Sequence, residues 1–204
     1  MCKKILAAVL MTAAAAMFAP SMAGATSVPS LPSGVHQAFL ADSNGDPQSG
    51  SSTFTGPLTT TGSTSISCSN NAFGLDYFDD ATTAITSFTA SSCSVSGFPS
   101  CPVTFAPTGL PWGGRLGYDT GTGTYKNYVN VFFDLTLGAA APACPFAGTV
   151  PYTGVFSPTM SISGSTLSAP FSGSASGTLT GPLGSFDWIG TITASVPSGS
   201  QFVF

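Results

Sequence analysis

The stretch "TYKNYVNVFFDLTLG", Thr124–Gly138, decides the fold class. Val129, Val131, Phe133, Leu135 and Leu137 fall on one side of a period-two alternation, and Tyr128, Asn130, Phe132 and Asp134 on the other. Successive side chains of a strand point to opposite faces, so a wholly apolar row against a mixed one describes a half-buried antiparallel strand. "TGTGT" just before it reads as a turn, and "GRLGYD", Gly114–Asp119, supplies a partner, so a hairpin is expected here. Outward from this hairpin, "STSISCS", "TTAITSFTASSCSVS", "PVTFAP", "FDWIGTITASV" and the terminal "QFVF" repeat the texture of Thr, Ser, Val, Ile and Phe between Gly and Pro turns. No stretch beyond Ser52 has helical spacing.

The expected architecture is one all-β domain over residues 52–204. It is an antiparallel two-sheet sandwich or flattened barrel with two disulfides. Residues 26–51 mix Pro, Ser and Gly and are expected to form an extended arm, in which "GVHQAFLAD" has room for one helical turn. Residues 1–25 read as a signal peptide: a basic start with Lys3 and Lys4, an alanine-rich apolar run, and the small-x-small pattern Ala23-Gly24-Ala25. Cys2 precedes that run rather than following it, so no lipid anchor is expected. No transmembrane helix is expected after signal cleavage.

Charge is sparse. Charged residues make up 6% of the chain, against about 25% in an average protein. Beyond the signal only Arg115 and Lys126 face eight aspartates, a formal charge of −6, and there is no glutamate. Nucleic acid is excluded as a partner, because phosphate binding needs clustered Lys and Arg. A weakly charged, hydroxyl-rich surface offers little self-repulsion and permits self-association.

Four cysteines follow the signal: Cys68, Cys93, Cys101 and Cys144. In an exported chain they read as two disulfides, with three possible pairings. Cys68–Cys93 and Cys101–Cys144 is the expected one, since it joins strand ends. A metal site is a poor rival, because no C-x-x-C occurs and the single histidine, His36, lies far away in sequence.

No residue set suggests catalysis, and no cofactor is expected. His36 is alone, and "GSASG" places Ala175 where a nucleophile elbow needs serine. Asp76, Asp79 and Asp80 read as a polar turn. A hydrolase would need Asp134 and Asp187 facing one cleft. "DSNGD" offers Asp42, Asn44 and Asp46 at the first calcium-loop spacings, but Pro47 replaces the glycine and no glutamate closes the loop. Trp112, in "LPW", either stacks on a ligand or caps the end of a β core, the commoner fate. A ligand strip would combine Trp112 with Tyr118, Tyr125 and Tyr128. Trp188 reads as core.

The order "SISC", "SFTASSC", "LPW", "CPFAG" resembles the small secreted bacterial proteins that include the alkane-oxidation activator proteins, over roughly Ser52–Gly148. The resemblance implies an extracellular or cell-surface accessory protein, tied to growth on hydrophobic carbon or to biofilm matrix, and no catalytic residues. Together these readings predict a non-enzymatic secreted protein contacting hydrophobic material, matrix or itself. The alternatives are a carbohydrate-binding module or adhesin, and an outer-membrane β-barrel suggested by the terminal aromatic Phe204.

Overall fold

The computed structural model describes residues 26–62, 65–138, 144 and 147–204. The expected signal peptide lies outside the described residues. The chain runs through β1 (Val35–Gln37), β2 (Phe39–Ala41), β3 (Gly50–Thr61), β4 (Ile66–Tyr77), β5 (Thr82–Val95), β6 (Val103–Pro107) and β7 (Trp112–Asp119). It continues through β8 (Thr124–Leu137), β9 (Gly148–Phe156), β10 (Thr159–Ser163), β11 (Thr166–Ser172), β12 (Thr178–Gly181), β13 (Gly184–Ser195) and β14 (Gln201–Val203). A single turn of 3-10 helix, Gly173–Ser176, separates β11 from β12.

All pairings are antiparallel, and they close on themselves. The long β8 carries β7 and then β6 along one edge, and β10 and then β9 along the other. β13 carries β3 on one edge and β11 and β12 on the other. β10 pairs with β11 and β9 with β12, while β3, β4, β5 and β7 pair in series. The result is a barrel of eight strand positions, three of them shared by two shorter strands. Of the two architectures left open by the sequence, closure selects the barrel. Closing the ring also removes most of the unpaired strand edge that an open sheet exposes.

The alternation read in Thr124–Gly138 sets the inside. Val129, Val131, Phe133, Leu135 and Leu137 of β8 are all buried, and Phe132 and Asp134 face outward, half-buried. Trp188 sits among Phe73, Phe88, Phe105, Phe133 and Phe156, with ring centroids 5.7–6.4 Å away. The outward face is hydroxyl: Ser161, Ser168, Thr193 and Thr55 lie in one row across β10, β11, β13 and β3. Apolar inside and hydroxyl outside is the reverse of a membrane barrel, which needs an apolar outer band. Among the described residues the exposed large hydrophobics are Val155, Leu183, Ile189 and Phe204. Among the described residues these four are spread over different strands and turns of the outer face.

Residues 26–51 are stapled to the barrel rather than held apart from it. "GVHQAFLAD" makes two short strands, β1 and β2, in place of a helical turn. β1 continues the lane of β5 along β7, pairing Val35 with Asp119 and Gln37 with Gly117. The arm also crosses the outside of β7 over its glycines. A Cβ at Gly113 would fall 2.5 Å from the Thr26 carbonyl oxygen, and one at Gly117 2.5 Å from Val35. Bare backbone in "WGGRLG" is what allows this close approach. Asn130 Nδ2 donates to the Ser27 carbonyl at 2.7 Å and fixes the arm over β8. The sheet itself begins at Gly50, two residues before the expected boundary.

Both disulfides form as expected. Cys68 and Cys93 are directly opposed in the β4–β5 ladder, and Cys101, before β6, joins Cys144, between β8 and β9. They share the barrel end that carries the start of β4 and the end of β8. Such bonds are compatible with an oxidising, extracellular setting. Among the described residues no helix is long and apolar enough to cross a membrane.

Candidate functional site

The barrel end opposite the disulfides is closed by aromatic packing. Here the β7–β8 turn, Asp119–Thr124, meets a two-stranded ribbon of β2 and β14. Asp119 organises the turn: its carboxylate accepts from Lys126 Nζ at 3.1 Å and from the Gly121 amide at 3.0 Å. Tyr118 and Tyr125 stand opposite each other in the ladder, with ring centroids 4.9 Å apart. Phe204 stacks on Tyr118 at 4.0 Å, and Phe202 lies 4.9 Å from Tyr125. The Tyr125 hydroxyl donates to the Phe202 carbonyl at 3.2 Å, and burial raises its pKa above the usual phenol value. The phenol thus stays a neutral donor throughout the physiological range.

Beside this cluster runs an open groove of about 650 Å³ between β14 and the ends of β8 and β10. Tyr125, Met160, Ile162 and Phe202 form its apolar walls, and Thr124, Ser161, Ser200 and Gln201 its polar rim. Among the described residues no charged side chain lines it. Hydrogen bonds hold the ribbon in place: Gln48 Nε2 to Ser200 Oγ at 2.9 Å and Gln201 Nε2 to the Asp42 carbonyl at 3.0 Å. Beneath it, inside the barrel, lies an apolar cavity of about 30 Å³.

The expected ligand strip divides. Tyr118 and Tyr125 meet in the aromatic cluster, where Tyr125 lines the groove, but Trp112 and Tyr128 do not join them. Trp112 is fully buried, its ring 5.9 Å from Phe88 and its indole N–H donating to the Thr108 carbonyl at 2.7 Å. It caps the core at the turn that opens β7. Tyr128 faces outward on β8 between Lys126 and Asn130, the strip that the arm covers, and is only 8% exposed. Sequence reasoning passed over Phe202, Ile162 and Met160. The terminal "QFVF" carried the one available signal, an aromatic alternation too short to assign a face.

Asp42, Asn44 and Asp46 form a self-satisfied turn at the end of β2 instead of a calcium loop. Asp42 Oδ1 accepts from the Asn44 amide at 2.8 Å and the Asp46 amide at 3.0 Å, and Oδ2 from Asn44 Nδ2 at 3.3 Å. Both Asp42 carboxylate oxygens accept from the turn's own donors, led by the Asp46 amide, which hold its carboxyl below its ordinary value. No cluster of three His, Cys, Asp or Glu suited to a metal occurs among the described residues.

Asp134 and Asp187 do not share a cleft. Asp134 lies on β8 opposite Pro151 of β9, and Asp187 on β13 opposite Thr178 of β12. β9 and β12 stand between them, which puts the two strands about 14 Å apart at ordinary spacing. A glycosidase pair needs its carboxyls within about 10 Å. Thr178 Oγ1 already donates to Asp187 at 2.6 Å. Of the expected polar turn only Asp79 and Asp80 lie in one, with Asp80 accepting from the Thr82 hydroxyl and amide, whereas Asp76 is a residue of strand β4 and accepts from Ser51 Oγ.

Lowered carboxyl pKa values make the fold acid-sensitive in one direction. Lys126 lowers Asp119, the Thr82 hydroxyl lowers Asp80, and the Asp46 amide lowers Asp42. A carboxyl depressed in the folded state contributes stability above its unfolded value, and that contribution disappears as pH falls through the folded value. The thermal midpoint is therefore expected to hold from neutrality until the pH approaches 3.8 and to fall modestly below it. Calorimetric scans between neutral pH and pH 2 (roughly the lower limit of a depressed carboxylate) check this.

Comparison of the chain with family models, curated proteins and solved structures returned no match in any of the three. The functional reading therefore rests on the residues themselves: a filled antiparallel barrel with one aromatic, uncharged groove at its undisulfided end.

Proposed function

We propose that this chain is a non-enzymatic exported accessory protein that binds neutral hydrophobic or amphiphilic material at the groove between β14 and β10. The observation that carries the proposal is the convergence of Tyr125, Phe202, Ile162 and Met160 on one uncharged groove. Other aromatics serve elsewhere: Trp112, Trp188 and eight of the phenylalanines are buried in the core. A broad Phe- and Trp-lined outer surface, one form the hydrophobic-contact expectation can take, is thereby replaced by a local site. The resemblance to alkane-oxidation activator proteins supports the same class of role, at the cell surface or in a matrix.

The test is binding of N-phenyl-1-naphthylamine, a neutral apolar fluorophore. Tyr125→Ala and Phe202→Ala are each expected to weaken it about tenfold, the scale of one lost aromatic contact. Leu183→Ser, an exposed leucine remote from the groove, is expected to change nothing. Equal binding by all four proteins would remove the groove from consideration.

A second reading, a glycan-binding adhesin, is favoured by the hydroxyl outer face. A depression of about 310 Å³ over the β3–β4 bulge is lined by Thr55, Ser69, Asn70, Thr89 and Ser91 and carries no charge. Glycan-array binding that survives Tyr125→Ala and Phe202→Ala would place the ligand on that face.

A further inference from the structure

The groove and the internal cavity share one side chain. Met160, on β10, lines both. On its outer side are Tyr125, Ile162 and Phe202. On its inner side are Phe54, Leu75, Ile85, Val129 and Phe171, two to five residues in from the groove-side ends of their strands. Asn127 is the one polar residue on the inner side, and its amide oxygen is already taken by the buried Thr83 hydroxyl at 2.8 Å. The other residues of this lining are apolar, so an incoming group meets chiefly apolar contact.

We propose that the barrel takes a single unbranched hydrocarbon chain end-on, lying along the groove, passing Met160 and seating its terminal carbons in the apolar cavity beneath. This rests on reading the groove as the binding site and goes further by assigning the ligand's shape, polarity and direction of entry. A methionine is the side chain best able to act as the passage wall. Its unbranched thioether rearranges at little cost, and it packs as well against a chain as against its neighbours. The cavity, about 30 Å³, accepts a chain terminus and nothing bulkier without rearrangement. That excludes branched and cyclic apolar groups from the inner end. The head of the ligand stays at the rim, beside Thr124, Ser161, Ser200 and Gln201, where hydroxyls and an amide await an uncharged polar group. The acidic balance of the chain disfavours an anionic head. A neutral alkyl amphiphile is the ligand class that satisfies all of these conditions.

The arrangement of cross-links fits such entry. Both disulfides lie at the opposite barrel end, and the ribbon beside the groove is held by aromatic contacts and hydrogen bonds alone. Displacement there breaks no covalent constraint.

The test uses a series of 1-alkanols from hexanol to dodecanol. Met160 is the single methionine after residue 25, so its labelled methyl group is an isolated NMR reporter, assigned by Met160→Leu. Affinity is expected to rise about three- to fourfold per added methylene and then level off once the chain fills the cavity. The Met160 methyl signal should shift with saturation. Ala169→Val, which adds volume at the cavity wall, is expected to end the rise at a shorter chain while leaving short alcohols bound as before. Thermal midpoints of each variant confirm that the barrel remains folded. Three results overturn the proposal: affinity that does not depend on chain length, a Met160 methyl that stays still while Tyr125 ring signals move, or an Ala169→Val protein with an unchanged chain-length profile. In the second case the groove still binds and only penetration fails. Absence of binding by every alcohol, together with inert Tyr125→Ala and Phe202→Ala variants, overturns the groove reading as well.

Discussion

Trp188→Ala is expected to cost the fold about 4 kcal/mol, within the range for deleting a large buried aromatic. Trp188 is 2% exposed and surrounded by five phenylalanines from five different strands. Those neighbours belong to β4, β5, β6, β8 and β9, with β6 opposite in the barrel to the strand that bears the tryptophan. A hole at this point has rigid ladders on all sides and little freedom to collapse. Trp188→Phe is expected to behave differently. It leaves a smaller void, and it removes an indole N–H that has no hydrogen-bond partner among the described residues. An unpaired buried donor costs about 1–3 kcal/mol, so its loss offsets much of the lost contact, and the net change is expected near 1 kcal/mol or below. Urea unfolding followed by circular dichroism measures both variants. A Trp188→Ala protein within about 1 kcal/mol of the parent would mean that the barrel interior is not organised around this ring.

Removing Cys101–Cys144 is the other large effect. The bond spans 43 residues and Cys68–Cys93 spans 25. In the chain-entropy account, closing such loops restricts the unfolded chain by about 4 and about 3.5 kcal/mol respectively. Double substitution of Cys101 and Cys144 by alanine is therefore expected to lower the thermal midpoint by roughly 10 °C for a domain of this size, and the Cys68/Cys93 pair slightly less. Ligand binding at the groove is expected to be unchanged in either variant under native conditions, because both bonds lie at the opposite end of the barrel. Scanning calorimetry beside a fluorophore titration separates the two properties. A disulfide variant that stays folded but loses the ligand would connect the two barrel ends and contradict this separation.

Much of the fold was legible in the chain. Alternation in Thr124–Gly138 identified the inward row of β8, and composition and cysteine placement identified an all-β domain and both disulfides. Part of the site was legible too, and was missed. Tyr125 and Tyr128 are three apart on one strand, so the same alternation puts them on opposite faces and no flat strip can hold both. Trp112 and Tyr118 illustrate what alternation cannot reach. Six residues apart on β7, they share a face, yet one is sealed in the core and the other sits at the rim. Depth along the barrel axis depends on how the ring closes and on what covers its ends.

What the sequence by itself determined is local: strand periodicity, turns, charge, and which cysteines lie at strand ends. Each follows from neighbours along the chain. What only the tertiary structure decided is closure, the covering of Tyr128 by the arm, and the meeting of Tyr118 and Tyr125 with Phe202, Phe204 and Met160. These depend on contacts between residues far apart in the chain, 103 positions for Asn130 on Ser27 and 126 for Thr61 on Asp187. Contacts of that separation are selected by the packing of the whole chain, and no single segment's pattern encodes them.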